Sequence, residues 1–178
     1  MKPTLHRQQG SSLIEVLVAI LILSFGMLSL GGMLAYAVQL PKLAAYRSTA
    51  MAIAASHVER MRANAPGFDL DAYLQASTYN QILPSVTPCV HPACTPNTLA
   101  TADTAETNAI LRRELPFNNA GMMVTCAGTC ATAREGEMWV MWQEPTTFAS
   151  ISGSASDECP STVTFTSPAR CVHIKFRL

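Results

Sequence analysis

The sequence predicts an α+β fold in which a long N-terminal helix packs on a small antiparallel sheet. Three observations predict it: an uncharged apolar run from Val16 to Val38, an apolar stripe at helical spacing from Leu43 to Met61, and strict alternation from Cys171 to Leu178. The apolar spacing changes from about 3.6 residues to 2 along the chain, and this change separates the helical part from the sheet.

The apolar run from Val16 to Val38 contains no charged residue. At about 1.5 Å per residue it spans roughly 35 Å as a helix, enough for a bilayer core of about 30 Å. The first ten residues carry Lys2 and Arg7 but no acidic residue, which predicts a cytoplasmic N-terminus and an extracytoplasmic body. The chain of 178 residues carries 12 basic and 12 acidic side chains, a balance that argues against nucleic-acid binding.

A secretory signal peptide is the first alternative, because it also begins with basic residues and an apolar stretch. Its small-residue cleavage site follows that stretch. Here the small-residue site, Gly10-Ser11, precedes an apolar run that is also too long for such a signal. Cleavage after Gly10 would therefore leave the apolar helix on the mature protein.

Glu15 lies at the head of the apolar run, where an ionised carboxylate is costly unless it is paired. Two interpretations explain its position. The carboxylate either reaches back to the lipid headgroups from the helix end, or it pairs with a positive charge of another chain. The second interpretation makes Glu15 an assembly residue.

The stretch "QGSSLIEVLVA" resembles the type IV prepilin signal, and the resemblance extends from Met1 to about Pro66. It implies the type IV pilin fold, cleavage between Gly10 and Ser11 by a membrane aspartyl prepilin peptidase, and methylation of the new N-terminus at Ser11. Phe is commoner than Ser at that first mature position. The resemblance also implies that Glu15, the fifth mature residue, pairs with the N-terminal amine of a neighbouring subunit.

Four segments are expected along the chain: a leader peptide at residues 1–10, an apolar transmembrane and assembly helix at 11–40, its amphipathic continuation at 41–65, and a globular periplasmic head at 66–178. The amphipathic stripe places Lys42, Glu59 and Arg62 mostly off its apolar side. Pro41 is expected to kink the helix between its halves, and "APG" at residues 65–67 to end it.

The head is expected to begin with a loop, because residues 83–104 are rich in Pro and Thr. Asp103 and Glu106 resemble a capping box for a short helix over residues 104–115. Strands are predicted at Gly121–Cys126, Glu137–Glu144, Ser161–Thr166 and Cys171–Leu178. The last strand should pack its apolar side on the helix stripe.

Six cysteines lie in the exported part, where an even number indicates disulfides, with 15 possible full pairings. We predict sequence-local pairs, because short loops need no assumption about topology, and "CPSTVTFTSPARC" also resembles the C-terminal disulfide loop of pilins. Zinc binding with His91 is the alternative, but the cysteine spacings are not those of zinc knuckles. The predicted pairs are Cys89 with Cys94, Cys126 with Cys130, and Cys159 with Cys171.

No catalytic motif is recognisable, so the chain is predicted not to be an enzyme and no cofactor or metal is expected. His57 and Glu59 are interpreted as members of a solvated helix surface. Trp139 and Trp142 fall on opposite sides of their strand. One of them should belong to the core, and the other either lies under a loop or contacts a partner or a glycan.

Within the prepilin group, the cysteines, the strand with Met and Trp, and "REL-P-F" most resemble the minor pilins called type IV pilus modification protein PilV. This implies a subunit that joins other minor pilins and the major pilin in a priming complex and presents a tip adhesin, in adhesion and twitching motility. It would lie in the inner membrane with a periplasmic head before assembly, and in the cell-surface pilus afterwards. The alternatives are a type II secretion pseudopilin and a membrane-anchored periplasmic binding protein.

Overall fold

The structure is a computed structural model that describes residues 12–83, 85, 87–126, 128–145, 159–165 and 169–178. The chain divides into two compact units, Met1–Pro41 and Lys42–Leu178. The first unit contains the apolar helix, and we call the second unit the head.

Helix α1 comprises Leu13–Ala63, and Pro41 lies inside it. It is long and apolar enough to cross a membrane, judged by length and composition. In the first unit its large apolar side chains, such as Leu17, Phe25 and Leu34, are exposed. The Ser24 hydroxyl donates a hydrogen bond to the carbonyl oxygen of Ile20 at 2.8 Å, so this polar side chain is satisfied within the helix.

In the head, α1 buries one stripe of residues and ends at Ala63. The buried side chains follow steps of three and four, as the sequence predicts for an amphipathic helix. They are Ala50, Ala54, His57, Val58 and Met61. A short helix α2, Ala65–Asp69, follows with Pro66 in its first turn, so the "APG" stretch that was expected to end the helix begins a new one.

Helix α3 comprises Pro96–Glu114, which corrects the prediction of a loop to residue 103 and a helix only from residue 104. Its N-terminus is capped by Thr95 and Thr98. The Thr98 amide donates to Thr95 Oγ1 at 3.2 Å, and the Thr95 amide donates to Thr98 Oγ1 at 2.8 Å. Pro96 fits the first helical position, where no amide hydrogen is needed. The helix therefore begins within the segment whose composition indicated a loop.

Strands β1 (Gly121–Cys126), β2 (Glu135–Gln143) and β3 (Ala169–Arg177) form a three-stranded antiparallel sheet in the order β1-β2-β3. A short helix α4, Cys130–Ala133, connects β1 to β2. Residues 75–80 run along the other edge of β1, where Gln75 pairs with Val124. This extended segment covers that edge of the sheet.

The strand predicted at Ser161–Thr166 is wrong for the residues that are described. Residues 161–165 form a turn and a loop, and Thr166 lies outside the described residues. The Val163 amide bonds to the carbonyl oxygen of Pro160 at 3.2 Å, and the Phe165 ring contacts the Tyr79 ring edge-on. Val163 and Phe165 thus pack on the outer side of the sheet without forming strand hydrogen bonds.

The core of the head lies between the inner side of the sheet and the two long helices. Trp142 and Met138 of β2 are fully buried there, together with Ala50 of α1 and Leu111 of α3. The structure confirms the predicted α+β fold, because the helix stripe packs on a small antiparallel sheet within the head. Burial of such large apolar side chains supplies the main driving force for this packing.

Candidate assembly site

The first turn of α1 contains Glu15, four residues after Ser11. The Glu15 amide donates to the carbonyl oxygen of Ser12 at 2.9 Å, so the carboxylate belongs to the first helical turn. A negative charge there is favoured by the helix dipole. Gly10 and Ser11, the predicted cleavage and methylation residues, lie outside the described residues.

A polar seam joins α1 to α3 inside the head. The Arg60 guanidinium donates to the carboxylates of Asp103 at 3.1 Å and Glu106 at 2.5 Å. The hydrogen bond to Glu106, against some burial, raises the pKa of Arg60, and the same bond lowers the pKa of Glu106. The seam therefore consists of charges that stabilise one another at neutral pH.

Tyr73 and Asn64 extend this seam towards the start of α3. The Tyr73 hydroxyl donates to Asp103 Oδ2 at 2.6 Å, and Asn64 Nδ2 donates to the Tyr73 hydroxyl at 3.1 Å and to the Pro96 carbonyl oxygen at 2.8 Å. Burial, followed by the bond to Asp103, raises the pKa of the Tyr73 hydroxyl. Asp103 thus accepts hydrogen bonds from both Arg60 and Tyr73. It lies inside α3, so the prediction that it caps the helix is wrong.

His57 corrects a second prediction, because it is fully buried and not part of a solvated surface. Its Nδ1 lies 2.8 Å from Thr107 Oγ1 on α3, and its ring contacts the Tyr73 ring edge-on. Desolvation lowers the pKa of His57 to about 4. Glu59, two residues later, is exposed, as the sequence indicated, and it pairs with Arg62.

Three disulfides close small loops in the head, and they are the three pairs that the sequence predicted. They join Cys89 to Cys94, Cys126 to Cys130 and Cys159 to Cys171. A group of possible metal ligands, Asp71 with Cys126 and Cys130, occurs among the described residues. Because both of its sulfur atoms are in a disulfide, neither is available as a thiolate ligand.

The two tryptophans occupy the two sides of β2, as the alternation predicts. Trp142 belongs to the core, whereas Trp139 lies on the outer side and stacks on the His173 ring, with 4.5 Å between ring centroids. A groove of about 520 Å³ beside these two rings is lined by Pro160, Ser161 and Thr162. The outer tryptophan is therefore partly covered by the loop that follows Cys159.

The sequence predicted the cysteine pairs, but it missed the polar seam between α1 and α3. Arg60 fell beside the apolar stripe, and Asp103 and Glu106 had a spacing that also suits a helix cap. The sequence did contain a signal for this seam. Asp103 and Glu106 lie one turn apart on α3 and are complementary in charge to Arg60, which lies beside the buried stripe of α1. Only the antiparallel packing of the two helices brings these residues together.

Comparisons with known proteins give two matches to family models. Residues 33–105 match the family described as type IV pilin Tt1218, and residues 5–31 match the prokaryotic N-terminal methylation motif. No match was found among curated proteins or among solved structures.

The two matches together support a type IV pilin with an N-terminal methylation motif. Pilins are structural proteins, which confirms the prediction that the chain is not an enzyme. The motif implies processing by prepilin peptidase and assembly with other pilins. With the apolar helix, it suggests a protein that is anchored in a membrane and later enters a pilus.

Proposed function

We propose that this chain is a minor pilin of a type IV pilus, which joins a priming or tip complex, initiates assembly and helps to present a tip adhesin. The observation that carries the proposal is Glu15 in the first turn of an apolar helix, within a methylation motif that also includes Gly10 and Ser11. The same residues support roles for the peptidase, the inner membrane and the other pilins as partners. Adhesion and twitching motility would be the cellular outputs.

Processing precedes assembly in this proposal. Residues 1–10 are the leader, and cleavage after Gly10 creates an amine at Ser11 that is then methylated. Residues 11–40 hold the subunit in the inner membrane, residues 41–65 continue the helix, and residues 66–178 form the periplasmic globular part. Lys2 and Arg7 support this orientation because basic residues remain in the cytoplasm.

Glu15 would act by charge pairing with the amine of a neighbouring subunit. A carboxylate among packed apolar helices is strongly disfavoured without a partner, whereas a paired one adds little net stability. Any neighbour in a wrong register leaves a buried charge unpaired and is rejected. The pair would therefore select the register between subunits.

A minor role is supported by the resemblance of the head segment to PilV proteins. The region after Pro66 combines three small disulfide loops with a strand that carries two tryptophans. Because Glu15 would pair with the amine of a neighbouring subunit, a subunit that carries it should have another subunit above it. We therefore place this chain just below the extreme tip. There it would contact other minor pilins on one side and the major pilin on the other.

The test replaces Glu15 by Ala in the native chromosomal copy and measures three things: N-terminal processing, co-purification with the other minor pilins, and the number of surface pili. We expect normal processing, because loss of a charge eases membrane insertion, but loss of co-purification and few pili. Glu59→Ala is the matched control, since Glu59 lies on the same helix with its side chain 65% exposed and paired to Arg62.

Two outcomes would contradict the proposal. Normal co-purification and piliation of the Glu15→Ala variant would mean that the carboxylate only reaches the headgroups. Recovery of the unmodified protein with type II secretion components instead of pilus components would identify a pseudopilin.

A further inference from the structure

Two neighbouring turns at one end of the head expose large apolar side chains. Ile82 is 99% exposed after the extended segment along β1, and Phe117 is 56% exposed in the short 3-10 turn Pro116–Asn118. Single exposed apolar residues are ordinary on protein surfaces. Two that project from adjacent, fixed turns require a more specific explanation, and we call this pair the apolar tip.

Arg112, at the end of α3, ties the two turns together. Its guanidinium donates to the carbonyl oxygens of Thr78 at 3.2 Å, Gln81 and Ala120 at 3.1 Å. A backbone bond of 3.0 Å from the Asn80 amide to the Asn119 carbonyl oxygen adds a fourth tie. The backbone at the base of the apolar tip is therefore tied to the end of α3.

The backbone of the tip is strained in a way that presents the Phe117 ring outwards. Phe117 has a φ of 67°, and the next residue, Asn118, has a φ of 50°. Asn tolerates this left-handed region, whereas a bulky aromatic residue is an outlier there and its conformation is strained. The fold thus holds an aromatic ring in solvent at a cost in stability, which indicates a use outside the core.

The position of the tip follows from the direction of α3. Asn64 contacts Pro96, Arg60 contacts Asp103 and His57 contacts Thr107, so the residue number on α1 falls as that on α3 rises. The two helices are antiparallel, and the end of α3 lies towards Lys42. The chain continues from Lys42 into the apolar segment, so the tip and this connection share one end of the head.

This end of the head carries basic side chains. Lys42, Arg47 and Arg113 are exposed there, and Glu114 pairs with Arg113 at 2.8 Å. The α1 sequence between Val16 and Val58 contains no acidic residue. Exposed apolar side chains beside basic ones are the combination that binds the interface of an anionic bilayer.

We propose that the apolar tip, Ile82 and Phe117, inserts into the headgroup region of an anionic bilayer while the subunit is held in the membrane before assembly. This inference rests on the proposed membrane anchoring. Membrane anchoring favours lipid over a soluble partner as the ligand of the tip. Residues 16–38 are held in the bilayer and the head begins at Lys42, so the effective concentration of lipid near the head is high. Docking would restrain the head, and recruitment into a complex would release it.

The test uses the full chain in nanodiscs of anionic lipid, with or without bromine atoms on the acyl chains as a contact quencher of tryptophan. Phe117→Trp and Ile82→Trp report on the tip. Leu70→Trp is the matched control, because Leu70 is 62% exposed after α2, at the opposite end of the antiparallel helix pair. The unmodified protein gives the background from Trp139 and Trp142.

We expect the added emission of both tip variants to be quenched by brominated lipid and to shift to shorter wavelength, with a smaller effect in zwitterionic nanodiscs. The Leu70→Trp emission should not change. Quenching of the tip variants no stronger than that of Leu70→Trp would overturn the proposal. If Phe117→Ser then lowered pilus incorporation, the tip would be a contact to another subunit instead.

The assembly proposal and the lipid proposal fail separately in these experiments. Introducing Glu15→Ala into the Phe117→Trp protein should leave the quenching unchanged, because Glu15 acts between subunits and nanodiscs hold one copy. Loss of quenching on that change would contradict the lipid proposal, whereas normal piliation of Glu15→Ala would contradict only the assembly role.

Discussion

Nδ1 of His57 donates its hydrogen to Thr107 Oγ1 across the interface of α1 and α3, over 2.8 Å. The direction is fixed because the Thr107 hydroxyl hydrogen is used by the Asp103 carbonyl oxygen, also at 2.8 Å. At neutral pH the ring is uncharged, because desolvation lowers the pKa of His57 to about 4, and its one N–H hydrogen is on Nδ1. Nε2 is buried and has no hydrogen-bond partner within the part of the chain that the structure describes. A second proton on this ring would find no acceptor there.

The buried His57 predicts that the head loses stability as the pH falls. The pKa of His57 is about 4 in the folded protein and 6.5 for an ordinary exposed histidine, so between these values the unfolded chain binds more protons than the folded one. Stability from neutral His57 is complete above the unfolded pKa and is lost as pH falls towards 4. Its full loss is on the order of 3 kcal/mol.

A His57→Asn variant isolates this effect, because its side-chain amide replaces the Nδ1 donor and does not titrate. We expect the free energy of unfolding of the full chain in detergent to fall between about pH 7 and pH 5 for the unmodified protein, and much less for the variant. Arg60 and Glu106 pair with each other, which raises the pKa of Arg60 and lowers that of Glu106, so both keep their charges over this range. Parallel pH profiles for the two proteins would refute the assignment.

The same residue shows why part of this fold was predictable and part was not. The stripe on α1 and the alternation of β3 record local periodicity, which depends only on which side of an element is buried. His57 is polar, so its burial depends on α3, whose N-terminal part lies in a Pro- and Thr-rich stretch. Composition indicated a loop there, while the threonines and Pro96 in fact begin the helix.

The strand predicted near Ser161 failed for a related reason. Its alternating residues satisfy the local pattern of a strand, but backbone pairing needs a neighbour at the correct distance. In the structure, the loop instead turns at Pro160 and is fixed to β3 by the disulfide from Cys159 to Cys171. The disulfide pairs were predictable because their cysteines are close in sequence. The polar seam was not, because its central ion pair joins Arg60 to Asp103, 43 positions away.

Arg60 should matter more for stability than its neighbour Arg62. Arg60→Gln leaves the Asp103 side chain, which is 13% exposed, without its charged partner, and we expect a loss of about 1–3 kcal/mol in the free energy of unfolding. Arg62→Gln removes an exposed pair with Glu59 and should cost less than about 1 kcal/mol. Chemical denaturation of the two variants in the same detergent compares them directly. Equal losses in the free energy of unfolding would show that the seam stabilises the head no more than an exposed ion pair does.

Loss of the Cys159–Cys171 disulfide should destabilise the head more than loss of Cys89–Cys94. Their sequence separations are 12 and 5, and closing the longer loop restricts the unfolded chain more, by about 3 against about 2 kcal/mol. Thermal unfolding of the two double Cys→Ser variants tests this order. Peptide mapping without reduction is the companion measurement, and a peptide that joins Cys159 to a cysteine other than Cys171 would contradict the pairing.

Gly10 should determine whether the N-terminus is processed at all. The methylation motif covers residues 5–31, and the expected cleavage lies between Gly10 and Ser11. Gly fits a peptidase site where the backbone must be approached closely, and a β-branched side chain would obstruct it. We expect Gly10→Val to leave the leader attached, so that mass spectrometry finds the Met1 terminus instead of methylated Ser11.

The uncleaved variant should be inserted in the membrane but absent from pili. Its leader keeps Lys2 and Arg7 ahead of the apolar run, and because no new amine is formed at Ser11, the ion pair with Glu15 of a neighbouring subunit cannot form. Ser11→Phe, which introduces the commoner first residue, is the control and should be cleaved and methylated normally. An intact Met1 terminus on the unmodified protein, in cells whose other prepilins are cleaved, would contradict the prediction.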